Sequence, residues 1–197
     1  MSAEEQAKKK SDLVKREFVD AAKNIILNDG VAAVTVRKIA EATGYSYATI
    51  YHYFKDLDSL LLAVKERMVA DVGAHMMSND TMKFRDVSDV KRVNRLYVQF
   101  YLDNPHIYDF FYSYRFANQA SPNYDLQFQD IWYLTYEPFV ASGQLRKEDV
   151  VTVAKTIIYT IQGQLALYFS SNGLSRESLF QDMDNIVDYL LTGRGTK

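Results

Sequence analysis

The sequence predicts an all-α protein, and three observations carry that reading. Glycine occurs 8 times and proline 3 times in 197 residues, too few breakers for a fold of many short strands. Apolar residues recur at three- and four-residue spacing through most of the chain. Hydrophobic residues make up 48% and charged residues 24%, the balance of a folded chain rather than a disordered one. The chain also lacks cysteine, which excludes a disulfide scaffold, a thiolate metal site and a cysteine nucleophile.

The elements follow in order. Leu13, Val14, Phe18, Ala21, Ala22, Ile25 and Ile26 form the apolar stripe of a first helix expected over about 10–28. Asn28-Asp29-Gly30 ends it, with Gly30 as a left-handed stop. Thr35 reads as the N-cap of a second helix opening Val36-Arg37-Lys38-Ile39-Ala40, and Thr43-Gly44 closes it. Ser46 caps a short third helix, Tyr47–Tyr53, and Asp56 a fourth from Leu57 to about Met77. Three helices so close, with a tight glycine turn, form a helix-turn-helix unit.

Five more helices are expected, about nine in all. Val87–Leu102 stops at Asp103-Asn104-Pro105, and Pro105 suits the first turn of the next, His106–Ala117. Ser121-Pro122-Asn123 opens another that ends at Ser142-Gly143, with Pro138 inside to kink or shorten it. Residues 147–169 carry the cleanest stripe: Val150, Val153, Ala154, Ile157, Ile158, Ile161 and Leu165. Asn172-Gly173 breaks it. Ser175 caps a last helix with Leu179, Met183, Ile186, Val187 and Leu190 on one face and Gly193 as its stop. The first eight residues and the tail after Leu191 are expected to fray.

Charge is unevenly spread. Residues 8–55 carry nine basic and five acidic residues, whereas 56–197 carry 14 basic and 18 acidic. A basic first quarter suits a polyanion, although a solvated lysine face gives the same count. No run of 18 apolar residues and no signal-peptide pattern is present, so a cytoplasmic protein with no membrane partner is expected.

On the third helix, Ile50, Tyr53 and Phe54 fall on one face, while Tyr47, Ala48, Tyr51 and His52 fall on the other. Hydroxyl and imidazole groups suit phosphate oxygens and base edges, and a small alanine admits close approach to a thymine methyl. The same rings would also serve to cover a core, and the residues alone leave that choice open.

The segment TVRKIAEATGYSYATIYHYFKDLDSLLLAV closes it by resemblance. Thr35, Arg37, Ile39-Ala40, Gly44, Ser46, Ile50-Tyr51, Tyr53-Phe54 and Leu60-Leu61 resemble the DNA-binding signature of the tetracycline-repressor (TetR/AcrR) family. Asn104-Pro105, Ser142-Gly143-Gln144-Leu145 and Gly163 agree more loosely. The resemblance implies a head over residues 1–55 and a body over 56–197 that dimerises and binds an effector. It implies that Thr35 caps the second helix and meets phosphate, and that Arg37 and Lys38 reach phosphate or the groove edge. Ser46, Tyr47, Ala48, Thr49, Tyr51 and His52 would form the recognition surface, with Tyr51 on phosphate. Where the family commonly has a lysine near the start of the fourth helix, this chain has Leu57, and Lys55 stands two residues earlier.

The middle of the chain is dense in rings: Tyr108, Phe110, Phe111, Tyr112, Tyr114 and Phe116 fall within nine residues. Rings at helical spacing usually form core, but buried tyrosine hydroxyls need partners. Tyr97, Tyr101, Phe111, Trp132, Tyr136 and Tyr159 are the candidate lining of a site for an apolar or aromatic effector. Val153, Ile157, Ile161, Met183, Ile186 and Leu190 are the candidate contacts with a second copy, as half of a four-helix bundle. Enzymatic signatures such as HExxH, GxSxG or a Walker loop do not occur, the three histidines are scattered, and no cofactor is expected. The expected function is a homodimeric regulator that represses from a palindromic double-stranded DNA operator until a small effector releases it. The alternative is an adaptor or activator that keeps the head and has no ligand.

Overall fold

A computed structural model of the chain describes residues 2–77, 84–117, 124–171 and 173–193. Among the described residues the regular elements are all helical: α1 (Ala3–Asp29), α2 (Val36–Thr43), α3 (Tyr47–Tyr53), α4 (Leu57–Met77), α5 (Val87–Asp103), α6 (Pro105–Tyr108), α7 (Tyr124–Ala141), α8 (Val150–Phe169) and α9 (Arg176–Thr192). The expected opening of α7 at Ser121-Pro122-Asn123 and the break at Asn172 lie outside the described residues. Packing divides the chain into two compact units, Met1–His75 with Asp103–Ala120, and Met76–Leu102 with Ser121–Lys197.

In the first unit α1 buries Val14, Phe18, Val19, Ala22 and Ile26. It starts seven residues earlier than expected. Ser2 and Glu5 form a reciprocal capping box, the Ser2 hydroxyl accepting from the Glu5 N–H and the Glu5 carboxylate from the Ser2 N–H. Gly30 ends it with φ 82° and ψ 165°, which is not the left-handed helical stop but an extended positive-φ conformation that only glycine takes readily. A 3-10 turn, Val31–Ala33, follows and brings Val31 and Val34 into the core.

The expected helix His106–Ala117 is corrected. Only Pro105–Tyr108 is α-helical; Asp109–Ser113 forms a π turn and Tyr114 is extended. The reason lies on α4. Asp58 accepts from the Tyr114 hydroxyl at 2.9 Å and the Ala117 N–H at 2.8 Å, and Lys65 donates to the Phe111 carbonyl at 3.2 Å. These bonds draw the segment out along α4 as a strap.

In the second unit α8 packs against α7 and α9. Val90, Val98, Phe139, Ile157, Ile161, Leu165, Leu179 and Val187 form its core. Lys91 pairs with Asp188 at 2.7 Å, and Arg95 pairs with Asp184, joining α5 to α9. The helix α7 runs through Pro138 to Ala141, so the ring shortens it by nothing; near the end of a helix it removes one backbone bond.

Candidate nucleic-acid interface

The head is built from caps and one hub ring. Thr35 Oγ1 accepts the Lys38 N–H at 3.1 Å, Ser46 Oγ accepts the Thr49 N–H at 3.1 Å, and Asp56 Oδ1 accepts the Ser59 N–H at 2.7 Å. Each answers an amide that a helix start would leave bare. Gly44, at φ 75° and ψ 7°, turns the chain from α2 toward α3 in the left-handed region. The Phe18 ring, fully buried, meets Tyr45 at 5.1 Å, Tyr53 at 5.9 Å and Phe54 at 6.5 Å. It therefore touches the residue before the α3 cap and both residues at the α3 end. The Tyr45 hydroxyl also bonds Glu17, whose carboxylate raises the phenol above its ordinary pKa.

This clamp decides which face of α3 is buried. Ile50 and Phe54 are in the core and Tyr53 is half-buried. Ser46, Tyr47, Ala48, Tyr51 and His52 are exposed, with Tyr47 at 49% and Tyr51 at 53%. Thr49 is half-buried and shares a hydrogen bond with the Ser46 hydroxyl at 2.9 Å. Thr35, Arg37 and Lys55 are exposed and Lys38 is half-buried. Arg37 pairs with Glu41 at 3.5 Å and Lys38 with Asp29 at 3.4 Å; both are weak, solvated pairs that an anion can displace.

The other candidate residues fare differently. Tyr97 and Tyr101 meet ring to ring at 5.0 Å, and Gln162 Nε2 donates to the Tyr97 hydroxyl at 2.6 Å. Tyr136 is buried against Phe84 and Phe139, and burial pushes its phenol well above the ordinary range. Trp132 is half-buried. Phe111 falls in the first unit, held by Lys65, and Tyr159 is 59% exposed. Val153, Ile157, Ile161 and Met183 are buried in the chain's own core, while Ile186 and Leu190 are half-buried. The outward side of α8 carries Thr152, Thr156, Tyr159, Gly163 and Leu167 instead.

Sequence reasoning missed Lys65 and Asp58. Their partners stand 46 and 56 or more residues away, and no local pattern signals such pairs. The Lys65 ammonium is half-buried above the Phe111 and Phe116 rings, and desolvation lowers its pKa. The stretch Lys147–Phe169 is also apolar enough, at a mean hydropathy of 1.3, to cross a membrane by length and composition, with one-third of it buried in the protein. The rule of 18 uninterrupted apolar residues did not register it.

Two capped helices, a glycine turn and an exposed aromatic face on the second define a helix-turn-helix head. That head belongs to the tetR family: residues 18–64 match the family described as bacterial regulatory proteins, tetR family. The chain is also similar to proteins described as HTH-type transcriptional regulator BetI from Brucella anthropi, Brucella canis and Brucella melitensis, at 39% identity over 61 residues. That match covers 31% of this chain and 31% of each relative.

Proposed function

We propose that the chain is a transcriptional regulator that binds duplex DNA through α3 and acts as a dimer. The observation that carries this reading is the outward face of α3: Tyr47, Ala48, Tyr51 and His52 stand exposed on a helix fixed at its start by a cap and behind by Phe18. A helix with rings turned to solvent gains nothing for its own fold, while those groups fit base edges and phosphates in a major groove. The functional division is a DNA-binding head over residues 1–55 and a regulatory body over 56–197. Repression relieved by a small effector, in the cytoplasm and without catalysis, is the mode this reading takes.

Dimerisation is supported by the outer side of α8. From Val150 to Ser175 the one charged residue is Lys155, yet only a third of the apolar stretch is buried. Gly163 lies on the exposed side, and a Cβ there would meet nothing within 4 Å. An uncharged face with a glycine notch suits close helix packing against a second copy. An effector is supported by the second unit's buried polar groups. Asn94 is 7% exposed, and among the described residues neither its Nδ2 nor the buried Gln164 Oε1 has a hydrogen-bond partner. With Tyr97 and Tyr101 on the same helix as Asn94, the fitting molecule combines a flat apolar surface with hydrogen-bonding groups.

The test is selection of bound duplexes from a random pool by the full chain. An inverted repeat with half-sites about one helical turn or more apart is the expected product. Recovery of no enriched sequence would overturn the regulator and favour an adaptor that keeps the head without reading DNA.

A further inference from the structure

The first half of α1 projects beyond the core of the head. Residues 4–10, 12 and 13 are exposed, Ser11 is half-buried, and burial begins at Val14. The capping box at Ser2 and Glu5 keeps this stretch helical rather than frayed. Along it stand Lys8, Lys9, Lys10, Lys15 and Arg16 against Glu4, Glu5 and Asp12. Among the described residues none of the five cations is in an ion pair, whereas Lys23, Arg37 and Lys38 each have one.

Direction follows from the helical repeat. In the stripe Val14–Phe18–Ala22 it is Phe18 that meets the ends of α3, through its ring contacts to Tyr45 and Tyr53. At 100° per residue Lys8 and Lys15 flank the continuation of that stripe on one side, and Lys10 flanks it on the other. Lys10 stands seven residues before Glu17, on the row that bonds Tyr45 beside the α3 cap. Lys9 and Arg16 point to the opposite side. Ten residues of helix separate Phe18 from Lys8, a rise of about 15 Å along α1. The other half of α1 is acidic: Glu17, Asp20 and Asp29 line an open groove against the end of α2. A polyanion lying across α3 is therefore drawn toward one end of α1 and repelled from the other.

We propose that the first half of α1 is a second DNA contact, in which Lys8, Lys10 and Lys15 neutralise backbone phosphates of the duplex beside the half-site that α3 reads. This rests on the reading of α3 as the recognition helix. It adds affinity without sequence information, because phosphate contacts position a protein rather than specify a site.

Salt titration of the full chain on its selected operator tests it, with the Lys8→Gln/Lys10→Gln/Lys15→Gln variant compared against Lys9→Gln/Arg16→Gln. Glutamine matches lysine closely in helix propensity, and far-UV circular dichroism checks that helix content is kept. The triple variant should lose about 2 to 3 from the slope of log K against log salt, near 0.9 per phosphate, and at least about tenfold in affinity at physiological salt. The control pair should shift the slope by less than about 1. An unchanged slope in the triple variant, or an equal loss in the control, overturns the proposal while operator binding itself survives. A wild type that selects no sequence overturns the recognition reading, and this proposal falls with it.

Discussion

Tyr47 and Tyr51 lie one turn apart on α3 with nearly equal exposure, 49% and 53%, yet different tasks follow from their positions. Tyr47 is the first residue after the Ser46 cap; in the proposed function it enters the groove, while Tyr51 and Lys38 of α2 are assigned to phosphate. On that assignment, Tyr51→Ala and Lys38→Ala should weaken binding to every sequence alike, since phosphate contacts carry no sequence information. Tyr47→Ala or Ala48→Arg should change the sequence selected, with about 1–3 kcal/mol of altered discrimination at the affected base pair. Repeating the selection with each variant checks this. An unchanged preferred sequence in the Tyr47 and Ala48 variants would show that the faces of α3 have been misassigned. The capping residues Thr35, Ser46 and Asp56 are legible in the sequence because a cap acts on an amide three residues away. Lys65 is not legible, because its aromatic shelf comes from a segment 46 residues further on.

Element by element, the same rule sorts what a pattern can and cannot give. The starts of α2, α3, α4 and α9 fall where their caps stand. The end of α6 does not follow from its own residues, because Asp58 and Lys65 of α4 take up backbone and phenol groups of the segment that follows it, at Phe111, Tyr114 and Ala117. The start of α5 shows how charge fixes an element. Asp86 Oδ1 accepts the Asp89 N–H at 3.0 Å, and Asp89 accepts from the Arg85 backbone at 3.1 Å, the Arg85 guanidinium at 2.8 Å and Arg92 at 3.1 Å. Arg85 foremost, with Arg92, holds the Asp89 carboxyl far below the usual carboxylate range. A folded-state pKa that is depressed gives stability that is full above the unfolded value of about 4 and is lost as pH falls toward the folded value. Asp89→Asn should therefore lower the denaturant midpoint at pH 7, and the gap to wild type should close between about pH 4 and pH 2. A gap that stays constant over that range would mean the ion pairs contribute nothing beyond shape.

At the scale of the whole molecule the question is what covers α8. Ile157 is 2% exposed, so Ile157→Asp would place a charge in the chain's own core and report on folding rather than assembly. Tyr159 is 59% exposed and is the better probe. Tyr159→Glu should leave the thermal midpoint of the protomer nearly unchanged, turn a dimer into monomers in sedimentation, and lower operator affinity more than about tenfold, since two linked heads bind far more tightly than one. A wild type that sediments as a monomer at micromolar concentration would remove the dimer from the proposed function.

The sequence by itself determined the helical class, the places where most helices begin, and the faces of α3, because periodicity and capping act within a few residues. Tertiary structure decided the rest. It turned the richest stripe, Val153–Ile157–Ile161 with Met183, into the chain's own core and left the plainer side of α8 outward, since an apolar helix buries first whatever its neighbours in the same chain can cover. It tied Phe111 and Tyr114 to α4 through bonds that span more than 40 residues. It also packed 103–120 with the head helices, a grouping set by contacts between distant segments and carried by no pattern along the chain.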